Sequence, residues 1–558
     1  MTGTHTVAFA IDCKDDDMTD LLGFTVEKTY TPVGGAPVKV TVMGFKVFKE
    51  RIPNPVPGAL YSTFDNPIQS FTWEDFTVDP GMSYQYNFTP LYDTPLNLRR
   101  GKVFFIKVNT EPLWLKNGHS VFFNRGVASS QAYTTEFGNK MPDKVPDGKA
   151  FDWLSRGLKE ALIDFIKKAG AGDKLYGCFY EFSNNEVLNE FCLSAKAGAK
   201  LQIIHDAKEN EHLLDGKIVA SFPKVAAEKA IKAAKLDKEP NIKLIPREAN
   251  KSYLSHNKFM VIVKKDGTKL TWTGSTNISD GGIFGQSNVG HYIEDNAVAD
   301  QYLRYWDKLK DDPDASTLKV ENEAIQPDIT LKTVPDGVTC MFSPRKSLNM
   351  LQFYADLMDS ATSCACITFA FSVYPFFEKA LSDNTDKSPL TFILMEKDDT
   401  DISNYIYKND VVKAVGSDFS TNPVYKWVKE TNTARLGLNT HVMYIHTKYL
   451  LKDPLSEVPI VVTGSLNFSK AATMQNDENM VIIKGDRRVA DIYFTEFQRL
   501  FNHYYFRWVV DELAKTGQPD AETPAFLKSN YKDWTTQYQE GKFKRKRIDI
   551  FKNMFIPG

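Results

Sequence analysis

From residue 1 to about 147, apolar and polar positions alternate in short runs: TVAFAID, VKVTVMGFKVF, SYQYNFTPLYD, KVFFIKVNT and SVFFNRG, separated by stretches rich in Pro, Gly and Asn. A period of two with no sustained 3.6-residue periodicity predicts a β-sandwich. The pattern changes after EFGNKMPDKVPDGKA (136–150). FDWLSRGLKEALIDFIKKAG and NEVLNEFCLSAKAG carry apolar residues three and four apart, as an amphipathic helix requires. Between and after them come short apolar runs, KLYGCFYEF, KLQIIHDA, NIKLIP, SHNKFMVIV and KLTWTGS, and then the helical VADQYLRYWDKLKDD. Such alternation predicts helices layered on a sheet. From about 347 a similar series follows, with CACITFAFS, LTFILME, HTKYLLKD, PIVVTGS and VADIYFTEFQRLF. The expected plan is a β-sandwich over 1–147, an α-β-α lobe over 148–335 and a second such lobe over 336–558.

One strand in this pattern is odd: SHNKFMVIV places two cationic side chains, His256 and Lys258, two positions apart on one face. The second series has the same feature. At an offset of 190 residues, His256 falls on His446, Lys258 on Lys448, Thr273 on Thr463, Gly274 on Gly464, Ser275 on Ser465, Asn277 on Asn467 and Ser279 on Ser469. These identities are almost all polar or glycine, so strand propensity does not explain them, and the chain is read as an internal repeat. Farther on, Gln286 falls on Asn476 and Asn288 on Glu478. Two copies facing each other across a pseudo-twofold axis would gather two imidazoles, two ammonium groups and two amides around one point. That is an anion pocket with two titratable groups.

The paired HNK…GSTN and HTKYLLKD…GSLN resemble the HxKxxxxD and GSxN motifs of the phospholipase D superfamily, over about residues 148–558. The resemblance implies two pseudo-twofold-related α-β-α lobes that build one site. It implies attack by one motif histidine on phosphorus to give a phosphohistidine, with the other as general acid and then base. By the same resemblance, His256 is the nucleophile, Glu478 its orienting acid and His446 the general acid. Lys258, Lys448, Asn277 and Asn467 bind the non-bridging oxygens, with Ser275, Ser465 and Asn288 as further substrate-binding residues. Asp453 completes the second motif as a structural support. The matching place in the first is Val263, with Asp266 three residues late. No metal or cofactor is expected, since the two lysines supply the positive charge. Five other histidines, His119, His205, His291, His441 and His503, read as hydrogen-bonded structural residues.

Composition narrows the substrate. Lys+Arg 68 against Asp+Glu 70 gives a net charge of -2, so no global field draws the chain to a polyanion. The phospholipase D resemblance implies a phospholipid head-group diester as the expected substrate, and the charge weighs modestly against nucleic acid. The alternatives are a nuclease with the same pocket and a non-catalytic protein that binds a phosphate ligand. The six scattered cysteines read as buried reduced thiols. Asp12, Asp15, Asp16 and Asp17 stand where a secretory signal would need a basic start and an apolar run, and no membrane-spanning run is present. A soluble chain without a readable export address is expected, cytoplasmic or exported by a signal-independent route. One chain completes the site. DCKDDD reads as a solvated turn in preference to a calcium loop, and GKFKRKRIDIF (541–551) as a basic helix face or a phosphate contact.

Overall fold

The computed structural model describes residues 1–56, 59–126, 131–138, 140–208, 212–214, 217–219, 223–249, 253–382, 389–399, 402, 410–416, 444–515 and 526–556. Two seven-stranded sheets dominate it. The first has the order His119–Phe123, Val289–Ile293, Lys269–Gly274, Lys258–Val263, Lys174–Phe179, Lys200–Asp206, Ile242–Arg247. The second repeats it strand for strand: Gly337–Ser343, Glu478–Lys484, Ile460–Gly464, Tyr449–Lys452, Cys364–Phe369, Leu390–Met395, Val411–Val415. In each sheet the last three strands run parallel, and the remaining neighbours pair antiparallel. The offset of 190 found at the motifs also carries Lys174–Phe179 onto Cys364–Phe369 end to end.

The helices form because their apolar residues share a face. In Leu158–Lys167 the buried apolar positions are Leu158, Ala161, Leu162, Phe165 and Ile166, which seal the outer side of the first sheet. Asn296–Leu309 starts where the Asp295 carboxylate accepts from the N–H groups of Ala297 and Val298, capping the first turn. Its Tyr302, Tyr305 and Trp306 and the Tyr493, Phe497 and Phe501 of Arg487–Lys515 belong to one core that contacts both sheets. The lobes therefore share a central layer, which fixes one half-site against the other.

The strand His119–Phe123, within the SVFFNRG run assigned from sequence to the N-terminal unit, pairs with Val289–Ile293 of the first lobe. It is the counterpart of Gly337–Ser343, so the repeat needs it there. The N-terminal unit itself is a five-stranded sheet with a two-stranded ribbon, Val7–Ala10 and Thr72–Asp75, packed on its face. Phe9 of the ribbon meets Tyr86 and Phe88 of the sheet edge-on. Glu496, fully buried, ties the three parts together: it accepts from Thr6 at 3.2 Å and from Arg499 at 2.8 Å, and also from Arg156. Burial alone would raise its pKa, but Arg156 and Arg499 hold the carboxyl down at about 2.

Two features left open by sequence meet each other. The basic tail is a helix, Phe543–Lys552, with Ile548 and Ile550 buried, and Arg545 and Lys552 both pair with Asp12 of the acidic cluster, at 2.9 and 3.1 Å. Trp534 and Tyr538 of the same tail pack on Phe71 of the N-terminal unit. Among the described residues no helix is long and apolar enough to cross a membrane.

Candidate active site

His256 and His446 each lie just before their strands rather than in them, on extended segments that enter Lys258–Val263 and Tyr449–Lys452. A carboxylate at the end of a neighbouring strand fixes each approach. Asp206 accepts from the Ser255 N–H at 3.2 Å, and Glu396 from the Ile445 N–H at 2.7 Å. These two acids, at the offset of 190, were not singled out from sequence. The signal was present in KLQIIHD and LTFILME, whose last residues are both acidic. Backbone bonds between the lobes repeat the symmetry: Ser287 N–H donates to the Tyr444 carbonyl at 2.7 Å, and Asp477 N–H to the Leu254 carbonyl at 2.9 Å.

The two imidazoles face each other with ring centres 6.4 Å apart. Each is held by the other lobe. His256 Nδ1 lies 2.9 Å from Glu478 Oε2, and His446 Nδ1 lies 2.8 Å from Asn288 Oδ1. Asn288 donates its Nδ2 to the Gly282 carbonyl, so its oxygen faces the ring and can only accept. His446 Nδ1 is therefore the donor, and Nε2 is the nitrogen left for a substrate. Ser465 Oγ donates to Glu478 Oε2 at 2.7 Å, and Ser275 Oγ to Asn288 Oδ1 at 2.8 Å. Ser275, Ser465 and Asn288 are fully buried with their donors so engaged. These bonds set the groups that meet the two histidines; the substrate-binding role expected for the three residues stays a proposal. Asn124, just beyond the strand His119–Phe123, accepts from the Asn288 N–H at 2.9 Å and sets that amide in turn.

Lys258 and Lys448 reach back to the carbonyls of His256 and His446. Tyr180 packs 5.0 Å from the His256 ring, and the Lys258 ammonium lies 5.3 Å over the same tyrosine. Both lysines are buried. Desolvation, the largest cause, lowers Lys258 to about 8 and takes Lys448 well below its ordinary value, with Lys258 adding repulsion. Burial and the two ammonium groups also lower both histidines well below 6.5. Burial raises Glu478 to about 8 while Lys258 pulls it down. Buried cations of this density are costly until an anion joins them. Asn277 Oδ1 and Asn467 Oδ1 are buried with no hydrogen-bond partner among the described residues, one in each half-site. Of these groups the lysine ammoniums are the ones that can receive an anion, since an amide oxygen only accepts.

Asp453 stands away from the chemistry. Its Oδ1 accepts from the N–H groups of Thr362, Ser363 and Cys364 at 2.8, 2.6 and 3.3 Å, which pins the start of the strand Cys364–Phe369. In the first lobe, where Val263 stands, the carboxylate comes from the other side of the same junction: Asp173 accepts from the N–H groups of Lys265 and Gly170, both at 2.9 Å. Asp266 only closes a local turn with Thr268. We expect Asp453→Ala to lower stability by about 1–3 kcal/mol, because three backbone donors, that of Cys364 buried, lose their acceptor, whereas Asp266→Ala leaves the melting temperature unchanged. Thermal denaturation of the two variants checks this.

Among the remaining histidines, His119 and His291 bond to each other at 2.8 Å, His205 faces the Asp206 carbonyl at 3.3 Å, and His503 is buried with Nε2 unpartnered among the described residues; His441 lies outside them. No group of three or more His, Cys, Asp or Glu among the described residues is arranged to hold a metal ion.

Two related lobes that complete each other's His-x-Lys pocket define a phospholipase D-type architecture. A family model described as the phospholipase D-like domain of cardiolipin synthase matches residues 162–310 and again 354–501, once in each lobe. With more than half its length matched, the chain belongs to that phospholipase D-like family of phosphodiester-acting enzymes. No curated protein matches the sequence. Among solved structures, phosphatidylserine synthase of Haemophilus influenzae is similar at 12% identity and TM-score 0.43, over 67% of this chain and 94% of that one. The phospholipase D family member Nuc of Salmonella typhimurium is similar at 23% identity and TM-score 0.22, over 30% and 93%. Polyphosphate kinase of Porphyromonas gingivalis is similar at 8% identity and TM-score 0.37, over 60% of this chain; the match spans 46%, less than half, of that longer protein.

Proposed function

We propose that the protein cleaves the head-group phosphodiester of a phospholipid through a phosphohistidine, and passes the phosphatidyl group to water or to an alcohol. The observation that carries this reading is the pair of imidazoles 6.4 Å apart, each oriented from the opposite lobe, with a lysine beside each. That gap suits a phosphorus atom within roughly 3 Å of a ring nitrogen on either side. His256, unprotonated because burial and the lysines depress its pKa, attacks phosphorus through Nε2. The bond from phosphorus to the head-group oxygen breaks, and His446 gives that oxygen a proton. Burial first, and then repulsion from the lysines and His256, keeps His446 neutral in the empty site; the negative charge of a bound substrate acts against both and favours the acid form. Glu478, which burial raises to about 8, stabilises the positive charge that develops on His256 once it is ionised, as the acid of a catalytic triad does. In the second half His446 takes a proton from water or alcohol, whose oxygen attacks phosphorus and frees His256.

The lipid substrate is supported by the family description and by the near-zero net charge, which gives no pull towards a polyanion. The test offers phosphatidylcholine, phosphatidylethanolamine, single- and double-stranded DNA and an aryl phosphodiester in parallel, with and without ethanol. Phospholipid turnover with phosphatidylethanol formed in ethanol is the expected result. Cleavage of DNA with the phospholipids untouched would make the protein a nuclease.

A further inference from the structure

The two half-sites match at the floor of the pocket and differ at its rim. In the first lobe the strand Lys174–Phe179 runs on into Tyr180 and Glu181; at the offset of 190 the second lobe has Ala370 and Phe371. Glu181 is half-buried, and its Oε2 accepts from Ser279 Oγ, while Oε1 has no hydrogen-bond partner among the described residues. Ser279 and Ser469 both accept from the N–H three residues on, Gly282 at 3.1 Å and Ala472 at 3.3 Å, but among the described residues only Ser279 also donates to a carboxylate. On the side of the second lobe Phe371 is 50% exposed, and with Ala370, Lys448, Asn467 and Phe468 it lines a small cleft beside the second half-site. Beside the motif residues the first half-site therefore carries a carboxylate where the second has an uncharged phenyl, and Glu181 lies against the Asn277–Ser279 segment, its carbonyl accepting from the Ile278 N–H at 3.1 Å. The negative charge of Glu181 is close enough to act on both Lys258 and Lys448.

We infer that Glu181 is a specificity residue whose free oxygen receives the ammonium of a zwitterionic head group, an amino alcohol or quaternary ammonium alcohol, while the paired lysines hold its phosphate. This rests on the phospholipid reading above. The pocket presents two cations at its floor and an anion at its edge, and a head group with a phosphate and an ammonium two carbons apart has the complementary dipole. A nucleic-acid strand or an anionic head group would bring a second negative charge or a bare hydroxyl to the same carboxylate. Specificity then comes as much from repulsion as from attraction. The structural alternative is that Glu181 only balances the lysines, in which case it serves every diester equally.

The experiment compares wild type with Glu181→Gln on short-chain phosphatidylethanolamine, phosphatidylcholine and phosphatidylethanol with the same acyl chains, and on bis(p-nitrophenyl) phosphate. In Glu181→Gln the ratio of kcat/KM for the two cationic head groups to that for phosphatidylethanol should fall about tenfold, the size of a lost hydrogen bond to a charged group. Turnover of the aryl diester should stay within about twofold. Glu181→Lys should lower the ratio further. An unchanged ratio, or an equal loss on all four substrates, would overturn the specificity role. If wild type cleaves the aryl diester and none of the lipids, the phospholipid reading fails and the subsite fails with it, an outcome distinct from an unchanged ratio.

Discussion

Replacing either motif histidine with asparagine, His256→Asn or His446→Asn, will lower kcat by about 10²- to 10⁴-fold or more while the protein remains folded. The amide matches the imidazole in polarity and can still donate towards Glu478 or keep a polar contact with Asn288, so the buried surroundings are not left empty. What it cannot do is form a bond to phosphorus or exchange a proton near neutral pH. Because the two rings come from different lobes and each is held by the other, loss of one is not compensated by its twin. Steady-state kinetics on a phospholipid, with circular dichroism to confirm folding, checks the expectation. Near-normal turnover by either folded variant contradicts the paired site.

Lys258→Ala and Lys448→Ala should cost on the order of 3 kcal/mol or more in transition-state stabilisation, about 10²-fold in kcat/KM, since each ammonium faces charge that grows on the non-bridging oxygens. The same substitutions should leave the empty protein no less stable. Lys258 titrates at about 8 in the folded chain against an ordinary 10.5, so the unfolded chain binds the extra proton more readily between those values. Wild type therefore loses stability as pH falls from 10.5 to about 8, and that loss persists below 8. Lys258→Ala removes its part of this slope. Melting curves at pH 7 and pH 10 report it: a gap between the two that shrinks in the variant is the expected result, and an unchanged gap counts against a buried, strained lysine.

The motif residues were legible in sequence because they are polar residues repeated at one offset within apolar strands, where packing gives no reason for them. The same offset already contained Asp206 and Glu396, but an acid at a strand end reads as a solvated turn unless its partner, the N–H before the histidine, is known. Ser275 and Ser465 were visible, but not the bonds they make. Spacing places a side chain on a face, but it does not say that the hydroxyl is spent on Asn288 or Glu478 before any substrate arrives. The strand His119–Phe123 has the same alternation as the sandwich strands before it, and only its pairing with Val289–Ile293 assigns it to the first lobe. Val263 drew attention to a missing carboxylate; the replacement, Asp173, lies about ninety residues earlier and acts from the facing loop, which no local reading connects. Likewise the acidic cluster at residue 12 and the basic tail were each ambiguous alone and become a pair only in the folded chain.

The central claim is that His256 carries the phosphoryl group and His446 moves the proton. A diester with a good leaving group, mixed with His446→Asn and quenched in base, isolates the first step, because that leaving group departs without an acid while the return step lacks its base. Peptide mapping of the quenched protein should find phosphohistidine at His256, accumulated above the level in wild type. Phosphohistidine at His446 in wild type, or none at either residue during turnover, would contradict the account.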